Sequence, residues 1–336
     1  MSGRLDNEIK VEKTINKKLK NMPEYVNSWY IYLTASNKTV TSRNDFINKL
    51  NNFLLSINEN ISLIKPEDIT FESVENYFIK IKTVNKNGKI SYSSDSYKQG
   101  IWSCLNNFFE YMVKIKHLYP ENYMSMIDRP KNKDLDRINQ NRILLTENDF
   151  NRILKSVGDC KSFDNNILKN RDMAILLLFM STGMRREALS EIDINDLRDN
   201  VLTIIDKQNK RHEYILNEIT HKYIKRWLSD RDKIINKVLN NTNTNALFIT
   251  RYGNRMSGTS IYNLVSKYCN DALGYKISPH KLRSGFCSIM YKKTGDIEFV
   301  RRAVGHSNTV TTQRYIVTNG FEKQKASNIM NDLLKV

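Results

Sequence analysis

Between Thr41 and Ile57 the apolar positions fall at Phe46, Ile47, Leu50, Phe53, Leu54 and Ile57, behind a polar start at Thr41 and Ser42. Spacings of three and four mark the buried stripe of an amphipathic helix, and a hydroxyl at its start caps the first free N–H groups. The pattern returns after Thr70 in TFESVENYFIKI. It returns again in SDSYKQGIWSCLNNFFEYMVKI, where Tyr97, Ile101, Leu105, Phe108 and Met112 point inward. With no alternating run between them, residues 23–127 are expected to form a small all-α domain. Residues 1–22 are polar and lysine-rich, and are expected to be a flexible basic arm.

The stretch DRPKNKDLDRINQNR is charged and carries Pro130 near its start, so residues 128–143 read as a linker. A second domain, residues 144–336, opens at LLTENDFNRIL, with Thr146 as N-cap and Asp149 at the third helical position. MAILLLFM, from Met173 to Met180, is apolar on every side and far too short to span a bilayer, so it predicts a buried helix. NVLTIID and HEYILN predict a hairpin, ALFIT a further strand, and helices follow to the end. The expected fold class is mainly α, with a small antiparallel β-sheet in the C-terminal domain.

Charge changes the picture. The 53 basic residues exceed the 36 acidic ones by 17, on a chain of otherwise ordinary apolar content. Such a chain attracts polyanions, and nucleic acid heads the list because phosphate neutralisation releases counterions. The four cysteines, Cys104, Cys160, Cys269 and Cys287, form no C-x-x-C pair, which fits idle thiols in a reducing cytoplasm rather than a zinc site or a disulfide framework. No metal ligand cluster stands out.

Three stretches carry candidate chemistry. In STGMRREAL, Gly183 suits a left-handed helix end, and Arg185 then stands at the start of the next helix. A cation there opposes the helix dipole unless an anion shares the site. In SPHKLRSGFCSIMYKK, Pro279 suits the first helical position. His280 and Arg283 then share a face with Cys287, beside an apolar stripe of Leu282, Phe286, Ile289 and Met290. The turn of the hairpin holds Lys207, Lys210 and Arg211. Each feature taken singly has an ordinary reading as a solvated or salt-bridged side chain. The last stretch, RAVGHSNTVTTQRYI, adds His306 and, nine positions later, Tyr315.

Taken in order and approximate spacing, Arg185, Lys207, the H-x-x-R of His280 and Arg283, His306 in GHS and Tyr315 in TTQRY resemble the active-site set of the tyrosine recombinase (phage integrase) family. The similarity covers residues 144 to about 325, and the helical region before it is similar in size and pattern to that family's core-binding domain. The resemblance implies a two-domain DNA clamp that acts as a site-specific recombinase, Xer-like or from a mobile element, integrating, excising or resolving DNA. It makes Tyr315 the nucleophile, forming a covalent 3′-phosphotyrosine, and His280 the base. Arg185, Arg283 and His306 would stabilise the transition state, and Lys207 would be the general acid, with no metal or cofactor.

The implied partner is double-stranded DNA with a specific recombination site, bound by a homotetramer on two sites whose protomers are largely monomeric when free. The expected location is the cytoplasm, at the nucleoid, with no membrane. Arg43, Lys98, Lys131, Lys210 and Arg211 are the candidate DNA contacts. Ile329, Met330, Leu333 and Leu334 form a terminal apolar stripe that packs either on its own domain or on a neighbouring protomer. Departures are local: Ala188 stands where the family commonly has glutamate, with Glu187 one place earlier, Ile194 replaces a frequent tryptophan, and VGH replaces LGH. The competing readings are a type IB topoisomerase-like enzyme and a non-catalytic DNA-binding regulator.

Overall fold

The computed structural model describes residues 3–84, 90–131, 144–159, 165–205, 211–237 and 244–306, together with positions 309 and 312. It divides into two compact units, Arg4–Gln140 and, with the first three residues, Asn141–Val336. Lys207, Lys210, Cys160, Tyr315 and the terminal apolar stripe lie outside the described residues.

In the first unit, helices α1 (Gly3–Leu19), α2 (Glu24–Ala35), α3 (Val40–Leu55), α4 (Phe71–Lys80) and α5 (Asp95–Lys114) build the core. Trp29 lies at its centre, meeting Phe108 edge-on at 5.3 Å and stacking on Phe46 at 6.1 Å. The expected basic arm is instead a helix packed into this core. Val11, Ile15 and Leu19 recur every fourth residue among the lysines, and Ile15, Leu19 and Met22 are buried. The N-cap of α3 is Thr39, two residues before the expected Thr41, and its side chain accepts from the Ser42 N–H. The unit is also not purely helical, since β1 (Lys82–Val84) and β2 (Ile90–Tyr92) pair as an antiparallel ribbon.

Arg43 requires a further correction. It points inward from α3 and is only 8% exposed. Its Nη1 donates to Tyr30 Oη at 2.7 Å and to Thr34 Oγ1 at 2.6 Å, while Nη2 pairs with Glu12 at 3.3 Å. A guanidinium committed in this way ties α1, α2 and α3 together and is not presented to DNA.

The second unit is built around α7 (Asn165–Thr182), in which Ala174, Ile175, Leu176, Leu178 and Phe179 are fully buried. A helix apolar all round must be enclosed, and this one packs against α6 (Glu147–Asp159), α9 (Glu218–Lys237) and α11 (Pro279–Thr294). Helix α6 opens on a reciprocal cap: Thr146 Oγ1 accepts from the Asp149 N–H at 3.2 Å, and Asp149 Oδ2 accepts from the Thr146 N–H at 2.9 Å. The short helix α8 (Arg186–Glu191) leads into the sheet. Helices α10 (Gly258–Leu273) and α12 (Ile297–Val304) complete the described α-helices of the unit.

The sheet has antiparallel order β3 (Leu197–Arg198), β4 (Val201–Ile205), β5 (Arg211–Ile215). Its last described pair is Ile205 with Arg211, and Ile204 stands opposite His212. Leu202 and Ile204 are buried, Val201, Thr203, His212 and Tyr214 are half-buried, and Ile205, Arg211, Glu213 and Ile215 are exposed. ALFIT is not a paired strand. It is held by single bridges from Ala246 to Asp193 and from Ile249 to Arg255, and by Trp227 donating to the Leu247 carbonyl at 2.8 Å. Cys104, Cys269 and Cys287 are buried free thiols. No helix among the described residues is long and apolar enough to cross a membrane.

Candidate active site

A pocket of about 360 Å³ lies where the end of α7, the start of α8 and the start of α11 meet, in the second unit. It is lined by Met184, Arg185, Arg186, Glu187, Tyr262, Ser278, Pro279, His280 and Arg283. Three of the six residues picked out by the sequence therefore face one space. Local sequence explains the arrangement. Gly183 ends α7 at φ 61°, where a β-carbon would lie 2.6 Å from Phe286 Cδ1, so glycine alone makes this turn. The turn delivers Arg185 to the N-cap of α8, where it is exposed. Pro279 is the first residue of α11, placing His280 at the mouth of the pocket and Arg283 one turn deeper.

Arg283 is 1% exposed, so the face it shares with Cys287 is interior. The cause is tertiary, because α12 covers α11 and adds Val300 and Val304 beside Phe286 and Cys287. Its guanidinium is fixed by backbone: Nη1 donates to the Gly183 carbonyl, and Nη2 to the Val304 carbonyl at 2.9 Å. One arginine thus bridges the turn before Arg185 and the turn before His306.

His306 is 2% exposed and follows Gly305, which ends α12 at φ 67°. Its ring Nδ1 lies 2.9 Å from Thr312 Oγ1. Arg301 clasps the turn: the His306 N–H donates to the Arg301 carbonyl at 3.0 Å, and Arg301 Nη1 donates back to the His306 carbonyl. Arg301 is itself held by two bonds to Glu298, at 2.8 and 2.6 Å. Glu298, which also accepts from Arg302, is pulled down to about 2 by these bonds, Arg301 first.

The field here is positive. Desolvation, then Arg283, Arg185, His280 and Arg301, push His306 down to about 3. His280 is lowered too, by partial loss of hydration, then by Arg283, Lys281 and Arg185, with the Glu187 carboxylate pulling the other way. Both imidazoles are therefore neutral at pH 7, so one can take a proton and the other can donate its N–H. Glu187 is also bonded to the neighbouring Arg186, at 3.0 Å to Nε.

Among the candidate DNA contacts, Arg43 is internal to the first unit, as described above. Lys98 is half-buried on α5, Lys131 is exposed, and Arg211 is exposed and paired with Glu213 at 2.8 Å. Sequence reasoning passed over Tyr262, Ser278, Thr312 and Arg301. Thr312 carried the only local signal, as one of the threonines between His306 and Tyr315.

Comparison with known proteins places this geometry. Residues 144–320 match the phage integrase family. The tyrosine recombinase XerC of Caldanaerobacter subterraneus subsp. tengcongensis is 30% identical over 227 residues, which is 67% of this chain and 60% of that protein. The chain spans about half the length of the further XerC relatives it matches. Among solved structures, XerH site-specific recombinase bound to palindromic difH substrate, in a post-cleavage complex, superposes with a TM-score of 0.63 at 21% identity. That match covers 88% of this chain and 81% of the other. A lambda integrase tetramer bound to a Holliday junction superposes with a TM-score of 0.56 at 15% identity, over 87% and 76%. The family match extends over more than half the chain and takes in the pocket, the buried arginine and the glycine–histidine turn: the chain belongs to the phage integrase family.

Proposed function

We propose that the protein is a site-specific DNA recombinase that cuts and rejoins strands through a covalent 3′-phosphotyrosine. The observation that carries this reading is the fixed, buried Arg283 guanidinium in a pocket shared with Arg185 and a neutral His280. A phosphodiester entering such a pocket meets two guanidiniums able to bond its non-bridging oxygens in pairs. With the Thr312 hydroxyl donating to Nδ1, His306 keeps its proton on Nε2 and adds a third donor. Tyr315 attacks phosphorus, its phenolic proton passes to His280, and the 5′-oxygen leaves with a proton from Lys207. The phosphate bond energy is kept in the tyrosine ester, so a second strand is joined without a nucleotide.

The partner is duplex DNA carrying a recombination site. By analogy with the lambda integrase tetramer on a Holliday junction, four protomers act on two sites. The free chain is mostly monomeric in the cytoplasm, because a charge of +17 keeps protomers apart until DNA neutralises it. Of the DNA contacts expected at the outset, Lys98, Lys131, Lys210 and Arg211 remain in this reading and Arg43 does not.

The test uses nicked duplexes on which cleavage traps the enzyme, with EDTA present throughout. The unaltered protein should yield a denaturation-resistant protein–DNA adduct and Tyr315→Phe none, while both bind the duplex equally. An adduct formed by the phenylalanine variant would overturn the assignment of the nucleophile.

A further inference from the structure

His212 is half-buried on the strand pair, opposite the buried Ile204, and its ring meets the turn that carries His306. A β-carbon at Gly305 would lie 2.8 Å from both His212 Nδ1 and Cε1, and 3.6 Å from Cγ. Glycine is thus required at 305 twice over, by its positive φ and by an imidazole edge resting on its backbone. His212 is carried on a strand that is paired through Arg211 to Ile215 with β4, and Ile204 across from it is buried. Arg301 holds the other side of the same turn through the reciprocal bonds to His306. The turn is gripped between a strand and a helix.

We propose that His212 is a positioning residue that sets the His306 imidazole at the height where its N–H reaches the phosphate. Arg301 fixes the turn along the axis of α12, and His212 stops it from sinking toward the sheet. The inference rests on the donor role given to His306 above. Small displacements suffice for a functional effect, since a shift of about 1 Å in a catalytic group can cost on the order of 10²-fold in rate.

The experiment measures single-turnover cleavage by full-length protein on saturating nicked DNA. The variants are His212→Ala, His212→Gln, His306→Gln and the double variant His212→Ala with His306→Gln. His212→Ala should slow cleavage ~10–100-fold at unchanged DNA affinity. Glutamine, which can still rest a flat amide edge on Gly305, should restore most of the rate. In the His306→Gln background the alanine change should cost little more, because the group it positions is gone.

A second substrate with a 5′-thiolate leaving group separates the alternatives, since it bypasses the general acid. Lys207→Ala should recover on it and His212→Ala should not. Recovery of His212→Ala would overturn the proposal and assign the ring to the acid's side of the site. Full additivity with His306→Gln would overturn it as well. Failure of Lys207→Ala to recover would instead strike at the general acid assignment and leave the His212 result standing.

Discussion

Of the four arginines buried among the described residues, Arg43, Arg171, Arg231 and Arg283, the first and the last are held in opposite ways. Arg43 lies against the Glu12 carboxylate and the hydroxyls of Tyr30 and Thr34. Arg283 donates to two backbone carbonyls, and its neighbours Arg185, His280 and His306 are all basic. A carboxylate neutralises a guanidinium, whereas a carbonyl fixes its direction and leaves its formal charge in place. Burial alone does not say what an arginine is for. Burial is common to both, and the surrounding charge separates them. Arg43 completes a packed core, and Arg283 keeps the uncompensated charge that the proposed mechanism turns toward a phosphate.

The sharpest way to break this comparison is to exchange the two behaviours by mutation. Arg283→Lys keeps a cation but loses the fork, and should reduce single-turnover DNA cleavage by ~10²–10³-fold in protein that still folds. Near-normal cleavage would show that the buried guanidinium is as structural as Arg43. The converse change, Arg43→Met, strands Glu12 and Tyr30. It should lower unfolding free energy in urea by about 1–3 kcal/mol, with cleavage per folded molecule unchanged. Loss of cleavage at full folding would put Arg43 back in the DNA interface.

A smaller effect reports the positive field itself. His306 stays neutral in the native protein down to about 3, whereas the unfolded chain protonates it near 6.5. The depressed value means that its contribution to stability is complete above pH ~6.5 and is lost as pH falls toward 3. The slope from this one group is about 1.4 kcal/mol per pH unit. Urea midpoints between pH 4 and pH 6.5 should fall less steeply for His306→Gln than for the unaltered protein. Equal slopes would mean that the imidazole is not held neutral.

The helix starts and stops were the most legible features. Thr146 with Asp149, Pro279 and Gly183 each act through chemistry local to a few residues, so their positions follow from sequence. The β4–β5 hairpin was legible from alternation. Helix α1 was obscured because lysines dilute its Val11–Ile15–Leu19 stripe. Strands of three residues, β1 and β2, are too short to alternate. The order of Arg185, His280, Arg283 and His306 pointed to this region, but the burial of Arg283 and His306 did not show. Helical spacing says which residues share a face and leaves open what covers it, so Arg43 and Arg283 both read as exposed cations. Their partners, Glu12 and the carbonyls of Gly183 and Val304, lie 31, 100 and 21 residues away.

The span of the Arg283 clamp has a consequence for the order in which the protein comes to life. One of its anchors lies 100 residues upstream and the other 21 residues downstream. Closing so wide a loop carries an entropic cost that grows with its length, and it requires α11 to settle on α7 and α12 to settle on α11. A chain emerging from the ribosome presents Arg185 and its basic surface well before the Val304 carbonyl exists. Until that carbonyl is present, the Arg283 guanidinium lacks one of its two backbone anchors. Synthesis from one end therefore acts as a delay, separating the moment when Gly183 and Arg283 are both present from the moment when the guanidinium can be locked between its two anchors.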